Sequence, residues 1–345
     1  MRRWPLTTHA RLSIASLALV VPLALAPPSQ AQTRYTTVDL GSPPNSALSR
    51  ALQVNDRGEA AGISGSFLTA TAWTRDGIFE IGGLVPPNTD SVATGINKRG
   101  EVVGHSAFSS GWPFTRHGFL WRDGVLVDLG TLAGATSSLA EGINDHGDIA
   151  GTSFSFPFQP HIVLWRDGAI HDLGVLRESD ARVTDINNRR QIIGYAIVGS
   201  TSRTFTWQDG VFSYLPSLSD AVESFPWSIN DRGEIAGSSI AADGSQHAVL
   251  WRDGSIVDLG MLPGSRSTAA TGINDRGQVV GFASNPDNTN RAFVWEDGRM
   301  TELAPPPGSA WAIARAINDH GEIVGFAVDP GYRERAIMWI PMKGR

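Results

Sequence analysis

The chain has no cysteine. A disulfide framework and a thiolate metal site are both excluded, so packing and hydrogen bonding must hold the fold together. Lysine is almost missing too. Lys98 and Lys343 are the only two, and arginine carries the remaining basic charge. Positive charge is in deficit overall, with 28 basic against 34 acidic residues and a formal net charge of −6. A chain of that balance offers no basic face for a phosphate backbone, so nucleic acid is not an expected partner. Catalytic fingerprints are missing as well. There is no His-Glu-x-x-His zinc pair, no Gly-x-Ser-x-Gly nucleophile elbow, no P-loop and no dinucleotide-binding glycine pattern. No cofactor or metal is expected.

Long apolar runs are also scarce. The one clear case, Leu12 to Ala26, falls short of the roughly 20 residues that span a bilayer. It follows Arg2, Arg3 and Arg11 and precedes Pro27-Pro28-Ser29-Gln30-Ala31, with small residues at Ser29 and Ala31. That layout predicts a signal peptide over residues 1–31 and a secreted or periplasmic product. Removing 31 of 345 residues leaves 314. Loss of the three arginines takes the charge from −6 to −9. No later segment is apolar enough for a transmembrane helix.

Against these absences stands a cassette repeated seven times. Its asparagine falls at Asn55, Asn97, Asn144, Asn187, Asn230, Asn274 and Asn318. Its tryptophan falls at Trp73, Trp121, Trp165, Trp207, Trp251, Trp295 and Trp339. The asparagines are 42 to 47 residues apart, a period that marks a repeat architecture. In the sixth copy, Thr271-Gly272-Ile273-Asn274 reads as a strand and Asn274-Asp275-Arg276-Gly277 as a type I turn closed by a left-handed glycine. Gln278 to Gly281, Arg291 to Trp295 and Met300 to Leu303 supply three more strands. Asp297-Gly298 between the last two suits a tight primed turn. Four antiparallel strands per repeat match one blade of a β-propeller, and the tryptophan is the natural wedge between blades. The fourth copy departs. It reads Asn187-Asn188-Arg189-Arg190, so a strained or altered turn is expected there.

The seventh copy stops after Trp339 without a fourth strand. Tyr35-Thr36-Thr37-Val38-Asp39-Leu40-Gly41 carries that missing pattern, as in Val127-Asp128-Leu129-Gly130 and Val257-Asp258-Leu259-Gly260. The expected fold is therefore all-β: one seven-bladed propeller over residues 32–345, with residues 35–41 completing blade seven.

The third strands read His117-Gly118-Phe119-Leu120-Trp121, His247-Ala248-Val249-Leu250-Trp251 and Arg291-Ala292-Phe293-Val294-Trp295. With the Gly-Ile-Asn-Asp-x-Gly and Asp-Leu-Gly blocks, they resemble the bacterial extracellular repeats named for a His-Ala-Phe (HAF) tripeptide. The resemblance covers nearly all of the chain after residue 31. It implies a secreted repeat protein and brings no catalytic residue, and no complete His-Ala-Phe triplet occurs here.

Residues present in every blade are expected to serve the fold. The position four before each tryptophan holds Thr69, His117, His161, Arg203, His247, Arg291 and Arg335. We read these as hydrogen-bonding within their own blades, with Asp128, Asp172 and Asp258 as strand-end acceptors. Asn285 to Asn290 lacks the ligand alternation of a calcium loop and reads as a polar turn. Function is expected where the blades differ, on the loops. Trp112 and Phe114 of blade two, Phe154, Phe156 and Phe158 of blade three, and Trp227 and Trp311 outside the tryptophan frame are the candidate ligand-binding residues. The expected role is a binding or scaffold module for glycan or protein. A lyase or glycosidase with acids around the channel (Asp90, Glu178, Asp180, Asp220 and Glu223 among the loop acids) and a structural envelope component are the alternatives.

Overall fold

A computed structural model describes residues 34–342, apart from 45, 47, 66–67, 86–89, 109–114, 156–159, 177–179 and 219–220. Residues 1–33, which hold the expected signal segment, lie outside the described residues, as do Trp112, Phe114, Phe156 and Phe158. Arg34–Arg345 forms one compact unit. Among the described residues there is no helix long and apolar enough to cross a membrane.

The unit is a seven-bladed β-propeller of four-stranded antiparallel sheets. Blades one to six take their strands in chain order, from β2–β5 (Ser49–Val54, Ala60–Ser64, Thr69–Thr74, Gly77–Glu80) to β22–β25 (Ser267–Ile273, Val279–Ser284, Asn290–Glu296, Arg299–Glu302). Blade seven joins β26 (Trp311–Ile317), β27 (Ile323–Val328) and β28 (Glu334–Pro341) to β1 (Tyr35–Asp39). Strand β1 pairs Thr37 with Trp339, and the Leu40 amide extends the ladder to the Ala336 carbonyl at 2.9 Å. Arg335 reaches Asp39 at 3.4 Å across the same seam. The ring is therefore closed by the strand expected from sequence, which covers the outer edge of β28.

First strands of neighbouring blades contact one another around the axis, and fourth strands face solvent, as in Gly77–Glu80. The tryptophans act as wedges. Trp295 packs on Leu259 and Leu262, which follow the last strand of the preceding blade. Trp165 does the same with Leu129 and Leu132, and its indole donates to the Leu129 carbonyl at 2.9 Å.

The asparagines form the innermost lock. Each Oδ1 accepts the amides two and four residues on, as Asn274 does from Arg276 (3.1 Å) and Gln278 (3.0 Å). Each Nδ2 donates to the asparagine carbonyl of the next blade. The bonds run Asn55 to Asn97 (2.9 Å), Asn97 to Asn144 (3.2 Å), Asn144 to Asn187 (3.2 Å), Asn187 to Asn230 (2.9 Å), Asn230 to Asn274 (3.0 Å), Asn274 to Asn318 (2.9 Å) and Asn318 back to Asn55 (2.9 Å). All seven asparagines are buried. Only a side chain with both an amide donor and a carbonyl acceptor can close its own turn and reach the next blade.

The expected turn departure in blade four has a structural cause. Arg190 holds the left-handed conformation at φ 59° and keeps the turn bond to Asn187 at 3.0 Å. At four blade boundaries an arginine two residues after the asparagine (Arg57, Arg99, Arg232 or Arg276) covers the glycine of the next blade. Arg99 Nη2 would stand 2.5 Å from a Cβ at Gly147. Blade three has His146 in place of that arginine, so position 190 has room for a side chain. Arg190 then supplies what the arginine would have supplied, with Nε donating to Asp148 at 2.7 Å.

Two predictions follow from this packing. Asn274→Ala strands the buried Gln278 amide, the part-buried Arg276 amide and the Asn318 carbonyl, and should cost about 3 kcal/mol by chemical denaturation, at ~1–3 kcal/mol per buried group. A loss below ~1 kcal/mol would show that the ring is dispensable. His146→Arg should lower the melting temperature alone and be rescued by Arg190→Gly in the double variant. Simple additivity of the two changes would refute the coupling.

Candidate functional site

The channel-facing positions are set by a glycine on each second strand. A Cβ at Gly104 would lie 1.9 Å from the Val92 carbonyl, and one at Gly281 2.0 Å from that of Ala269. With no Cβ there, the first strand settles close and is bulged two residues further on, between Ala93 and Gly95 and between Ala270 and Gly272. The other five first strands are bulged at the same place. A bulge leaves one residue outside the ladder and re-aims it. In blade order these residues are Leu52, Thr94, Glu141, Thr184, Trp227, Thr271 and Arg315, and all seven line one axial cavity of 290 Å³. Gln53, Val92, Arg182, Val183 and Tyr195 complete its wall. Along each first strand these positions precede the asparagine, so the cavity lies on the loop-face side of the asparagine ring.

The cavity holds charge that its surroundings do not neutralise. Arg315 makes no ion pair among the described residues, and its Nε is buried with no hydrogen-bond partner. Burial, reinforced by the nearby charge of Arg50, pushes its pKa down. Arg50 itself is committed elsewhere. It is bidentate to Glu334 and lies over the Phe326 ring at 5.0 Å. Glu141 keeps only partial solvent contact. Burial drives its pKa from 4.5 to about 7, against the pull of Arg182. A carboxyl titrating there can hold or release a proton at neutral pH. Asp185, just beyond, is pushed up to about 6 by burial, against the stabilising amides of Ile229 (3.1 Å) and Ile186 (2.8 Å). His105 is held neutral. Burial first, then Arg116 and Arg182, lower it to about 4, and its Nδ1 has no partner.

Neighbouring threonines brace the two charged bulges. Thr94 Oγ1 donates to the Ala140 carbonyl at 2.8 Å, next to Glu141. Thr271 Oγ1 donates to the Ala314 carbonyl at 2.9 Å, next to Arg315.

The opposite mouth is acidic but structurally occupied. Residues after the asparagines form a second collar, in which the Asp231 amide donates to Asp275 at 2.7 Å and the Asp275 amide to Asp319 at 2.8 Å. Burial, resisted by these bonds and helped by mutual repulsion, raises both Asp275 and Asp319. Lys98 breaks the collar, since it offers no oxygen to the Asp56 amide, and pairs with Asp145 at 3.2 Å instead. Burial tends to raise Asp145, but the hydrogen bonds from Lys98 and Asn188 outweigh it and hold the group below its usual value. Among the described residues, no group of three or more acidic or histidine side chains is placed to hold a metal ion.

The structure separates the sequence candidates. Trp227 is in strand β18 (Ala221–Ile229) rather than in a loop, at its bulge, and stands 40% exposed in the axial cavity. Trp311 likewise opens β26 and packs edge-on against Phe326 at 6.3 Å. Phe154 lines a separate depression of 410 Å³ with Leu132 to Ala135, His161 and Asp172. Of the loop acids, Glu178 and Asp220 lie outside the described residues, Asp90 pairs with Arg116 at 3.1 Å, and none of Asp90, Asp180 and Glu223 lines the axial cavity. The His and Arg positions pair within their blades: His117 with Asp128, His161 with Asp172 and His247 with Asp258 at 2.9 Å each, and Arg291 with Glu302 at 3.2 Å. Sequence reading missed Glu141, Arg182, Arg315 and Tyr195. Aligning the seven copies on their asparagine would have shown the position three before it as Leu, Thr, Glu, Thr, Trp, Thr and Arg, divergent inside an otherwise repeated strand.

No family model matches the chain, and no curated protein matches it in sequence. Its fold is similar to that of streptogramin B lyase, with a TM-score of 0.56 at 10% identity over 89% of this chain and 98% of that one. The β-propeller domain of the trilobed protease from Pyrococcus furiosus is similar at a TM-score of 0.56 and 11% identity, over 85% and 95% of the two chains. That domain has an open velcro topology, whereas β1 closes the ring here. TolB from Acinetobacter baumannii aligns at a TM-score of 0.49 and 11% identity, over 83% of this chain and 63% of that one. At such identities the likeness shows the propeller fold and nothing finer.

The buried carboxyl generates a pH prediction. With its folded pKa above the ordinary value, Glu141 keeps a proton that the unfolded chain releases. Its contribution to stability therefore falls as pH rises from about 4.5 through 7. Glu141→Gln carries no such penalty, so its melting temperature relative to the parent should climb between pH 5 and pH 8. A constant difference across that range would refute the raised pKa.

Proposed function

We propose that this chain is an extracytoplasmic binding module that takes a glycan at the loop-face end of its axial channel. One observation carries the reading: a repeated scaffold converges seven side chains of five kinds on one cavity and leaves the Arg315 charge there unpaired. Structural positions repeat blade after blade, whereas here only threonine recurs, in three of the seven blades. Selection for packing alone gives no reason to enclose the Arg315 Nε without a partner. The basic and apolar N-terminal segment supports export, and the resemblance to extracellular HAF repeats agrees with it. Phe154 and Trp311, with Trp112, Phe114, Phe156 and Phe158, are the proposed outer contacts, and Trp227 the inner one. Aromatic faces on a rigid frame suit sugar rings.

The test is a glycan and peptide array probed with the purified protein. A selective glycan hit should be lost in Trp227→Ala and in Arg315→Met, at an unchanged or raised melting temperature. A hit indifferent to both variants would move the site off the channel. Selective peptide capture would replace glycan with protein, and a folded sample that captures nothing would remove the binding role.

A further inference from the structure

We infer that the axial cavity receives a single sugar-acid ring, with its carboxylate on Arg315 and its hydroxyls on the threonine and glutamate wall. The inference rests on the binding role proposed above and names the chemistry of that site.

Charge comes first. Arg315 is half-buried in the cavity wall, with its Nε fully enclosed, and has no acidic partner among the described residues. Arg50 does not compete for an incoming anion, because Glu334 and Phe326 occupy it. Arg182 adds a second, exposed cation on the loop side. A guanidinium offers a planar fork of donors that matches a carboxylate.

The opposite wall asks for donors. In a ring of seven, blade seven faces blades three and four, so Arg315 looks across at Glu141 and Thr184. Thr94 and Thr271 have each spent their one proton on the neighbouring blade's carbonyl. Toward the cavity their oxygens can only accept. A ligand that pairs them must bring hydroxyl or ammonium hydrogens. Several hydroxyls on one small frame satisfy them together, along with Glu141 and Gln53.

Shape completes the argument. Trp227 presents a partly exposed indole within the same wall, a platform for the C–H face of a pyranose. The volume of 290 Å³ is at the low end of small-molecule pockets, which run to about 300–1,000 Å³, and suits one ring rather than a chain. An inorganic anion would leave the indole and the acceptors unused. A hydrocarbon acid would leave the acceptors unpaired, and a neutral sugar would leave Arg315 unpaired.

Isothermal titration calorimetry with three free probes tests this: D-glucuronate, D-glucose and cyclohexanecarboxylate. Glucuronate should bind at least about tenfold more tightly than either of the others. Arg315→Met should reduce glucuronate to the level of glucose, and Trp227→Ala should weaken both sugars together. Should Arg315→Met fail to fold, the wild-type ranking and Trp227→Ala still decide the matter. Glucose equal to glucuronate overturns the role of the charge. Cyclohexanecarboxylate equal to glucuronate overturns the hydroxyl wall. If no probe binds while the array gives a selective neutral glycan, the sugar-acid inference falls and the binding role stands. If both experiments are blank, both fall.

Discussion

Everything in this molecule depends on the ring of seven asparagine amides. A propeller has no central core to bind its blades, since its axis is a channel. Apolar wedges hold neighbouring sheets face to face, but a wedge fixes neither height nor rotation about the axis. The amide does both. Its Oδ1 closes a turn of its own blade and its Nδ2 reaches the carbonyl of the next, so the geometry of one turn is handed to the adjoining one. After seven steps the chain returns to Asn55, and any error in blade geometry would accumulate to a broken final bond. Such a buried network rewards complete satisfaction and punishes a single gap.

The same rigidity lets the chain carry a site without disturbing the fold. A glycine on the second strand brings the first strand close, the bulge follows, and one residue per blade is released from the ladder toward the axis. That residue is bounded by its backbone but not by packing, so its identity is free. Leucine, threonine, glutamate, tryptophan and arginine all occur there. Two of the three threonines, Thr94 and Thr271, return their bonding to the scaffold by bracing the next blade's bulge, and those are the bulges that hold the opposed charges. Support and chemistry thus meet at one ring of positions, a few residues above the asparagines.

The repeats are also less independent than their pattern suggests. Arginine over glycine across blade boundaries is one arrangement, and histidine with a left-handed Arg190 is another. Each is coherent within itself, and in both a cation reaches the buried acid beside the asparagine turn. The oddity at blade four is thus explained by a residue of blade three, 44 positions earlier.

Blade number, blade topology and the closing strand were legible from the residues alone. The signals are local: Asn-x-x-Gly and Asp-Gly turns, alternating strands, and a fourth-strand motif displaced to the beginning of the repeats. Turn chemistry acts over a few residues, and repetition multiplies its signal sevenfold. That His117 bonds within its own blade was legible for the same reason, and the structure supplies Asp128 as its partner. The axial site was not. Glu141 and Arg315 are 174 residues apart, and neither is unusual beside its neighbours in the chain. Trp227 reads as a loop aromatic because it falls outside the tryptophan frame, whereas the strand absorbs it with Pro226 at its bulge. Only ring closure places these side chains in one cavity, and only burial there changes their protonation. Hydrogen-bonded turns are short-range and can be read from sequence order, but convergence on an axis and the loss of solvent that goes with it belong to the closed ring.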